Sequence, residues 1–352
     1  MIKDKSIFIQ NIFHILAYAF QDLNPDREEE LAGEQFERIH DLFAAVLAKG
    51  LTRLLKQGLH REYLNRTEDL TTLRGKLEWA GTVRNRLARR HRLSCEFDEL
   101  SVDHLINRVL KTTAMLLLRH GDVSEKHRTE LRRPLLFLSE VEEIDPATIR
   151  WSNIRFTRNT RSYRLLLAVC QLVLQGMLQT TERGELRLMG YLKPKQMARL
   201  FEKFILEYYA AECSLARASS PQIKWALDDE VCTMLPIMQS DIVLSRDNSV
   251  LIIDAKYYSR STQAPWGKHT IHSQNLYQIF AYVKNKEAEL AARGVPYRVS
   301  GMLLYAKTDH DVQPDATYQM SGNQISVKTL DLGQPFATIR AQLDTIAAEY
   351  FG

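Results

Sequence analysis

The stretch SDIVLSRDNSVLIIDAKYY, residues 240–258, constrains the fold more than any other part of the chain. Arg246-Asp247-Asn248-Ser249 is turn chemistry between two apolar runs, so the stretch reads as a β-hairpin. Its second arm opens with VLII, which is too apolar for a strand with a solvated face. That buried run then ends in Asp254, Ala255 and Lys256. A strand alternates faces with period two, so Asp254 and Lys256 share one face and Ile253 and Ala255 the other. Asp241 opens the neighbouring arm. Buried charge is costly unless it is paired or metal-bound, so charges at the end of a buried strand require a reason.

Two carboxylates and a lysine gathered at a sheet end have a defined chemistry. The carboxylates repel, and a divalent cation relieves the repulsion. All-oxygen ligands suit Mg²⁺, which also takes waters and substrate phosphate oxygens. A solvated Asp/Lys pair on an exposed strand is the ordinary alternative for a D-x-K triplet.

The rest of the chain sets the frame. Its 352 residues point to two domains. A hydrophobic content of 45% without an apolar run of ~18 residues reads as a globular protein with no membrane span. The apolar N-terminal stretch carries His14 and no small-residue cleavage site, so it reads as a folded amphipathic helix, and the expected location is the cytoplasm. Cys95, Cys170, Cys213 and Cys232 form no CxxC pair and read as reduced buried thiols. The net charge of +4 permits a polyanionic partner without demanding one.

Apolar positions recur at helical spacing over 6–23, 34–57, 102–120, 160–178, about 194–217, 273–292 and 335–350. Strands are expected at 222–227, 240–245, 249–257 and 297–305, giving a central mixed sheet. Residues 59–97 look strand-like, and inside them lies RNRLARRHR, with Arg84, Arg86, Arg89, Arg90 and Arg92 in nine residues. This basic run is placed on a hairpin tip. Residues 179–190 read as a joint. No GxxxxGK[ST] loop occurs, so no nucleotide is expected on this chain.

The site resembles that of the PD-(D/E)xK nuclease superfamily, with Asp241 on one strand and Asp254-Ala255-Lys256 on the next. The family's proline is not adjacent to the first aspartate; Pro236 lies five residues earlier. The resemblance implies Asp241, Asp254 and the Ala255 carbonyl as metal ligands and Lys256 as the group that orients water. Glu202, in LFEKF, fits the family's acidic residue on the preceding helix, and equally a surface glutamate. In HSQNLYQIFAYV, Gln274, Gln278 and Tyr282 fall at i, i+4 and i+8 on one helix face. The resemblance makes Gln278 a catalytic residue and Gln274 and Tyr282 DNA contacts; polar residues on an amphipathic helix are the alternative, a stronger one for Gln274 than for Gln278. His272, just before the helix, reads as a phosphate contact or as a simple surface histidine.

The strings NIFHILAYAF, LRGKLEWAGTVRN, FDELSVDHLINRVLKTT, NTRSYRLLLAVC, MLPIMQSDIVL, LIIDAKYY and HSQNLYQ together resemble the McrC-like subunits of McrBC modification-dependent restriction systems. This implies an α+β chain in two parts. Residues 1–180 would be a mixed helical and β-hairpin domain docking on a hexameric AAA+ GTPase. Residues 181–352 would be an α/β nuclease domain with a central mixed sheet. It also implies Mg²⁺, GTP held by the partner, double-stranded DNA with modified cytosine as substrate, and pairing of two such assemblies. For Arg84–Arg92 three readings stand: a contact with the partner ring, a solvated loop, or a contact with DNA phosphates. Two other functions remain open, a non-cleaving scaffold and a free-standing repair nuclease or resolvase.

Overall fold

A computed structural model describes residues 9–20, 36, 38–180, 186–188, 192–229, 233–258, 262–263, 270–307 and 313–352. Two compact units emerge. One comprises Met1–Leu42 with Gln175–Gly352, the other Phe43–Leu174. The chain therefore does not divide once near residue 180. Its first helix, α1 (Ile9–Ala19), belongs with the C-terminal unit, held there by long-range polar contacts that local sequence does not announce. Asn11 Nδ2 donates to the carbonyls of Leu332 and Gln334 at 2.7 and 2.8 Å.

The Phe43–Leu174 unit joins helices to a small antiparallel sheet. Most of α2 (Ile39–Gln57) lies within it, followed by β1 (Glu62–Leu70), β2 (Lys76–Leu77), α3 (Trp79–Leu87) and β3 (Leu93–Ser101). The strand order is β1-β3-β2. The basic run is not a hairpin tip: it forms the second half of α3 and the connection to β3. Three further helices, α4 (Leu105–His120), α5 (Glu125–Leu135) and α6 (Arg164–Gln171), complete the unit. Asp103, just before α4, takes a two-pronged ion pair from Arg108 at 2.7 and 2.6 Å.

The other unit is built on a six-stranded mixed sheet. Helix α7 (Pro194–Glu212) starts on a proline, whose missing N–H and fixed φ suit the first helical position. Then come β4 (Arg217–Ser219), β5 (Ile242–Arg246), β6 (Ser249–Lys256), α8 (Ser273–Ala291), β7 (Arg298–Ala306), β8 (Ala316–Met320), β9 (Asn323–Leu330) and α9 (Phe336–Phe351). The order is β8-β9-β7-β6-β5-β4. Strands β6, β7 and β9 run parallel, and the remaining neighbours pair antiparallel. The expected mixed sheet is present; the β8–β9 hairpin had not been anticipated.

Strand β6 sits inside the sheet and is buried from Val250 to Ala255. Its Val250 and Ile252 pack with Ile279, Tyr282 and Val283 of α8 and Val299 and Leu303 of β7. Gly301 permits this close approach, since a Cβ there would stand 2.8 Å from Val283 and 2.9 Å from Ile279. On α7, Tyr208 and Tyr209 donate to Asp344 and to the Leu343 carbonyl of α9 at 2.8 and 3.0 Å. Among the described residues no helix is long and apolar enough to cross a membrane. Cys95 and Cys170 are buried free thiols and Cys213 is half-buried and free. Cys232 lies outside the described residues.

Candidate active site

The site follows from the register of the β5–β6 hairpin. Asp247, with φ of 53°, makes the tight turn, a conformation Asp tolerates. Ser249 pairs with Arg246 and Ile253 with Ile242. One step further along the ladder, Asp241 meets Asp254. The Asp241 Oδ2 accepts the Ala255 N–H at 3.0 Å, which continues the pairing with a side chain where β5 has ended.

Period-two alternation places Asp254 and Lys256 in line with Val250 and Ile252, facing α8. Asp254 is only 1% exposed. Lys256 Nζ donates to its Oδ1 at 2.9 Å and lies 2.8 Å from its Oδ2. That second oxygen is buried and accepts no well-directed hydrogen bond. Lys256 also reaches Gln278 Oε1 at 3.5 Å. Gln278 Nε2 donates to the Tyr282 hydroxyl at 3.0 Å, and that hydroxyl donates to the Gln239 carbonyl at 3.1 Å. A chain of hydrogen bonds thus runs from Gln239, two residues before Asp241, through α8, to the lysine.

Burial and like charge strain this cluster. Burial pushes Asp254 up to about 7; Lys256 opposes the rise and the neighbouring Asp241 adds to it. Burial and then Asp241 push Glu202 on α7 up to about 7, against the pull of Lys256 and Arg199. Glu202 therefore lies within electrostatic reach of Asp241 and Lys256. Burial acts to lower Lys256, but the Asp254 carboxylate more than offsets it and keeps the ammonium above its ordinary value.

The other expected residues divide. Tyr282, expected at a DNA surface, is instead buried, with its hydroxyl engaged by Gln278 and Gln239; it supports the site from beneath. Gln274 is exposed on the first turn of α8. His272 precedes that helix and rests against the Tyr258 ring, with centroids 5.2 Å apart. Sequence reasoning missed Asn275. Its Nδ2 donates to the Tyr305 hydroxyl at 2.9 Å, and its Oδ1 accepts from Tyr258 at 3.2 Å. The signal was available: 275, 279 and 283 form the buried stripe of α8, and an asparagine on such a stripe needs partners.

Among the described residues no three His, Cys, Asp or Glu side chains converge closely enough to hold an ion by themselves. A hard cation would therefore draw on Asp241 and Asp254, helped by backbone carbonyl and water. The buried Asp254 Oδ2 and the repelling carboxylates fit such a cation.

Comparison with known proteins adds the lineage. A family model described as McrBC 5-methylcytosine restriction system component matches residues 3–306. The chain belongs to this McrBC family. It is 28% identical over 346 residues to the Type IV methyl-directed restriction enzyme EcoKMcrBC of Escherichia coli (strain K12), covering 97% of each chain. It also shares its fold with a chain of the refined half-complex from the tetradecameric assembly of Thermococcus gammatolerans McrB AAA+ hexamers with bound McrC. That match has a TM-score of 0.52 at 19% identity and covers 96% of this chain and 76% of that one. The cryo-EM structure of the Thermococcus gammatolerans McrBC complex is matched at 23% identity and a TM-score of 0.43, over 59% of this chain and 60% of that one. Membership in the McrBC family makes this chain a restriction-system component, the setting in which its carboxylate cluster is to be understood.

Proposed function

We propose that this chain is the DNA-cleaving subunit of an McrBC-type restriction complex and hydrolyses phosphodiesters of double-stranded DNA bearing modified cytosine. The observation that carries this reading is the convergence of Asp241, Asp254, Lys256 and Gln278 at the end of one buried strand. A solvated Asp/Lys pair does not explain it, because Asp254 is buried and the cluster is under like-charge strain.

Asp241 and Asp254 would hold Mg²⁺, with the Ala255 carbonyl and Glu202 at the edge of the donor set. Mg²⁺ bound there supplies positive charge for a phosphodiester in transit and acidifies water. Lys256, kept as an ammonium by Asp254, offers a donor and a countercharge to the developing negative charge. Gln278 and Tyr282 fix the lysine. His272 and Gln274 lie at the start of α8, where a DNA backbone would be met. The partner is a McrB-like hexameric AAA+ GTPase, which holds the GTP and selects the DNA. The Phe43–Leu174 unit docks on it, Arg84–Arg92 included, and stimulates hydrolysis; two complexes join so that both strands are cut.

The test is Asp254→Ala in the complex with ring protein, GTP, Mg²⁺ and methylated DNA. Cleavage should fall by about a thousandfold or more while ring binding and stimulated GTP hydrolysis persist. A variant that still cuts removes the assignment. Wild type that cuts with Mg²⁺ alone, without ring or GTP, would instead identify a free-standing nuclease. No cutting by wild type with any divalent metal would identify a scaffold.

A further inference from the structure

Helix α3 is folded inside out. Its inward side consists of half-buried Gly81 and Thr82 and buried Asn85, and its exposed side carries Trp79, Val83 and Leu87. These three stand at i, i+4 and i+8, within one stripe, and are 72, 52 and 81% exposed. Scattered exposed apolar residues are ordinary in a folded protein. An entire helix that buries its polar side and exposes its apolar side is not, because swapping the faces would bury a tryptophan and a leucine.

The inverted orientation is firmly held. The Glu78 carboxylate caps the helix by accepting the Ala80 and Gly81 N–H groups at 2.9 and 2.6 Å. Asn85 Nδ2 donates to Asp69 on β1 at 2.7 Å. Thr82 Oγ1 accepts the Ser94 N–H at 3.0 Å and so ties the helix to β3. Gly81 allows the approach, since a Cβ there would stand 2.5 Å from Ser94 Oγ. Arg84, Arg86, Arg89 and Arg90 are exposed around the stripe. Arg89, at φ of 55°, turns the chain sharply after the helix, and the Arg90 N–H donates back to the Asn85 carbonyl at 2.8 Å.

We propose that α3 is a rigid docking ridge: its Trp79–Val83–Leu87 face seats in an apolar groove with an acidic rim on the AAA+ ring partner. The proposal rests on the reading of this chain as a ring-bound subunit. Helix-in-groove recognition uses anchors at this spacing, and tryptophan and arginine dominate binding hot spots. The arginines select an acidic rim by charge. Duplex DNA would match the arginines but offers no complement to Val83 and Leu87, so the apolar stripe decides for a protein groove.

The test measures binding of the full chain to a McrB-type ring GTPase from the same genome, assembled with a non-hydrolysable GTP analogue. Trp79→Ser and Leu87→Ser should each weaken binding at least about tenfold at unchanged thermal stability. Asp254→Ala should bind as wild type does. Full affinity in the Trp79→Ser/Leu87→Ser double variant overturns the proposal. So does unchanged ring binding accompanied by loss of self-association or of duplex DNA binding, which would assign the ridge to a second copy or to nucleic acid. If wild type does not bind the ring at all, the subunit reading itself fails and the ridge falls with it.

Discussion

Strand β6 and helix α3 both violate the usual partition of polar and apolar groups, in opposite senses. At the end of β6 the protein buries charge, with Asp254 at 1% exposure beside Asp241 and Lys256. On α3 it exposes a tryptophan and a leucine while burying an asparagine. The two violations differ in what relieves them. Repelling carboxylates are relieved by a small cation, so the β6 end is a place for chemistry. An exposed apolar stripe is relieved by a second macromolecular surface, so α3 is a place for assembly. The first therefore stores strain within its own unit, and the second stores none in the isolated chain. Stability measurements should separate them.

The largest stability effect should come from Lys256→Ala. It leaves Asp254 buried without its countercharge, and breaking a buried pair costs about 3–5 kcal/mol. The cost should depend on pH with a definite sign. Burial already pushes the folded Asp254 carboxyl up to about 7, and losing Lys256 pushes it higher. Above that value the folded state holds an unpaired charge; below it the carboxyl takes a proton and the penalty shrinks. Denaturant midpoints should therefore show a large loss at pH 8 that recovers toward pH 5.5. An equal loss at both pH values would mean that Lys256 contributes by packing and not by charge.

Glu202→Gln should act in the opposite direction. Burial and Asp241 hold its folded carboxyl near 7, above the ordinary value of 4.5, so its ionisation opposes folding at high pH. The neutral amide should raise stability by about 1–3 kcal/mol at pH 8, and by under about 1 kcal/mol at pH 5, where the folded wild-type group is already protonated. Substitutions that stabilise while impairing activity are the mark of a functional site. A variant less stable at pH 8 would place Glu202 in a structural ion pair and outside the cluster.

The same contrast explains what could be read from the sequence. The β6 end was legible because its parts are local. VLII followed by Asp254-Ala255-Lys256 states both the burial and the violation, and Asp247-Asn248 states the turn. Asp241 was legible as a candidate, but its meeting with Asp254 needed the register. Residues 316–330 were passed over because β8 is a half-exposed edge strand with weak alternation, although Ser321-Gly322, both at positive φ, carried turn chemistry. The placement of α1 with the C-terminal unit rests on contacts such as Asn11 with Leu332, more than three hundred residues apart, which no local pattern encodes. The α3 helix was hidden by its charges. Five arginines drew attention from the i, i+4, i+8 spacing of Trp79, Val83 and Leu87, and that spacing would have assigned the wrong face to the core.

The smallest effects should lie on α3, and there the order of two substitutions matters more than their size. In an ordinary amphipathic helix, Asn→Ala on the polar face is nearly silent and Leu→Ser on the apolar face is destructive. Here the order should reverse. Asn85→Ala removes the donor held by Asp69 at 2.7 Å and leaves a buried position unfilled, a loss of about 1–2 kcal/mol. Leu87→Ser removes a side chain that is 81% exposed and should change stability by no more than about 0.5 kcal/mol. Thermal melts of the two variants in the isolated full chain decide the matter. If Leu87→Ser proves the more costly, then Leu87 is packed against this chain in solution and α3 offers no free face. If the reversed order holds, the apolar stripe contributes nothing to the stability of the isolated chain, and its cost in exposed surface is met only when a partner covers it.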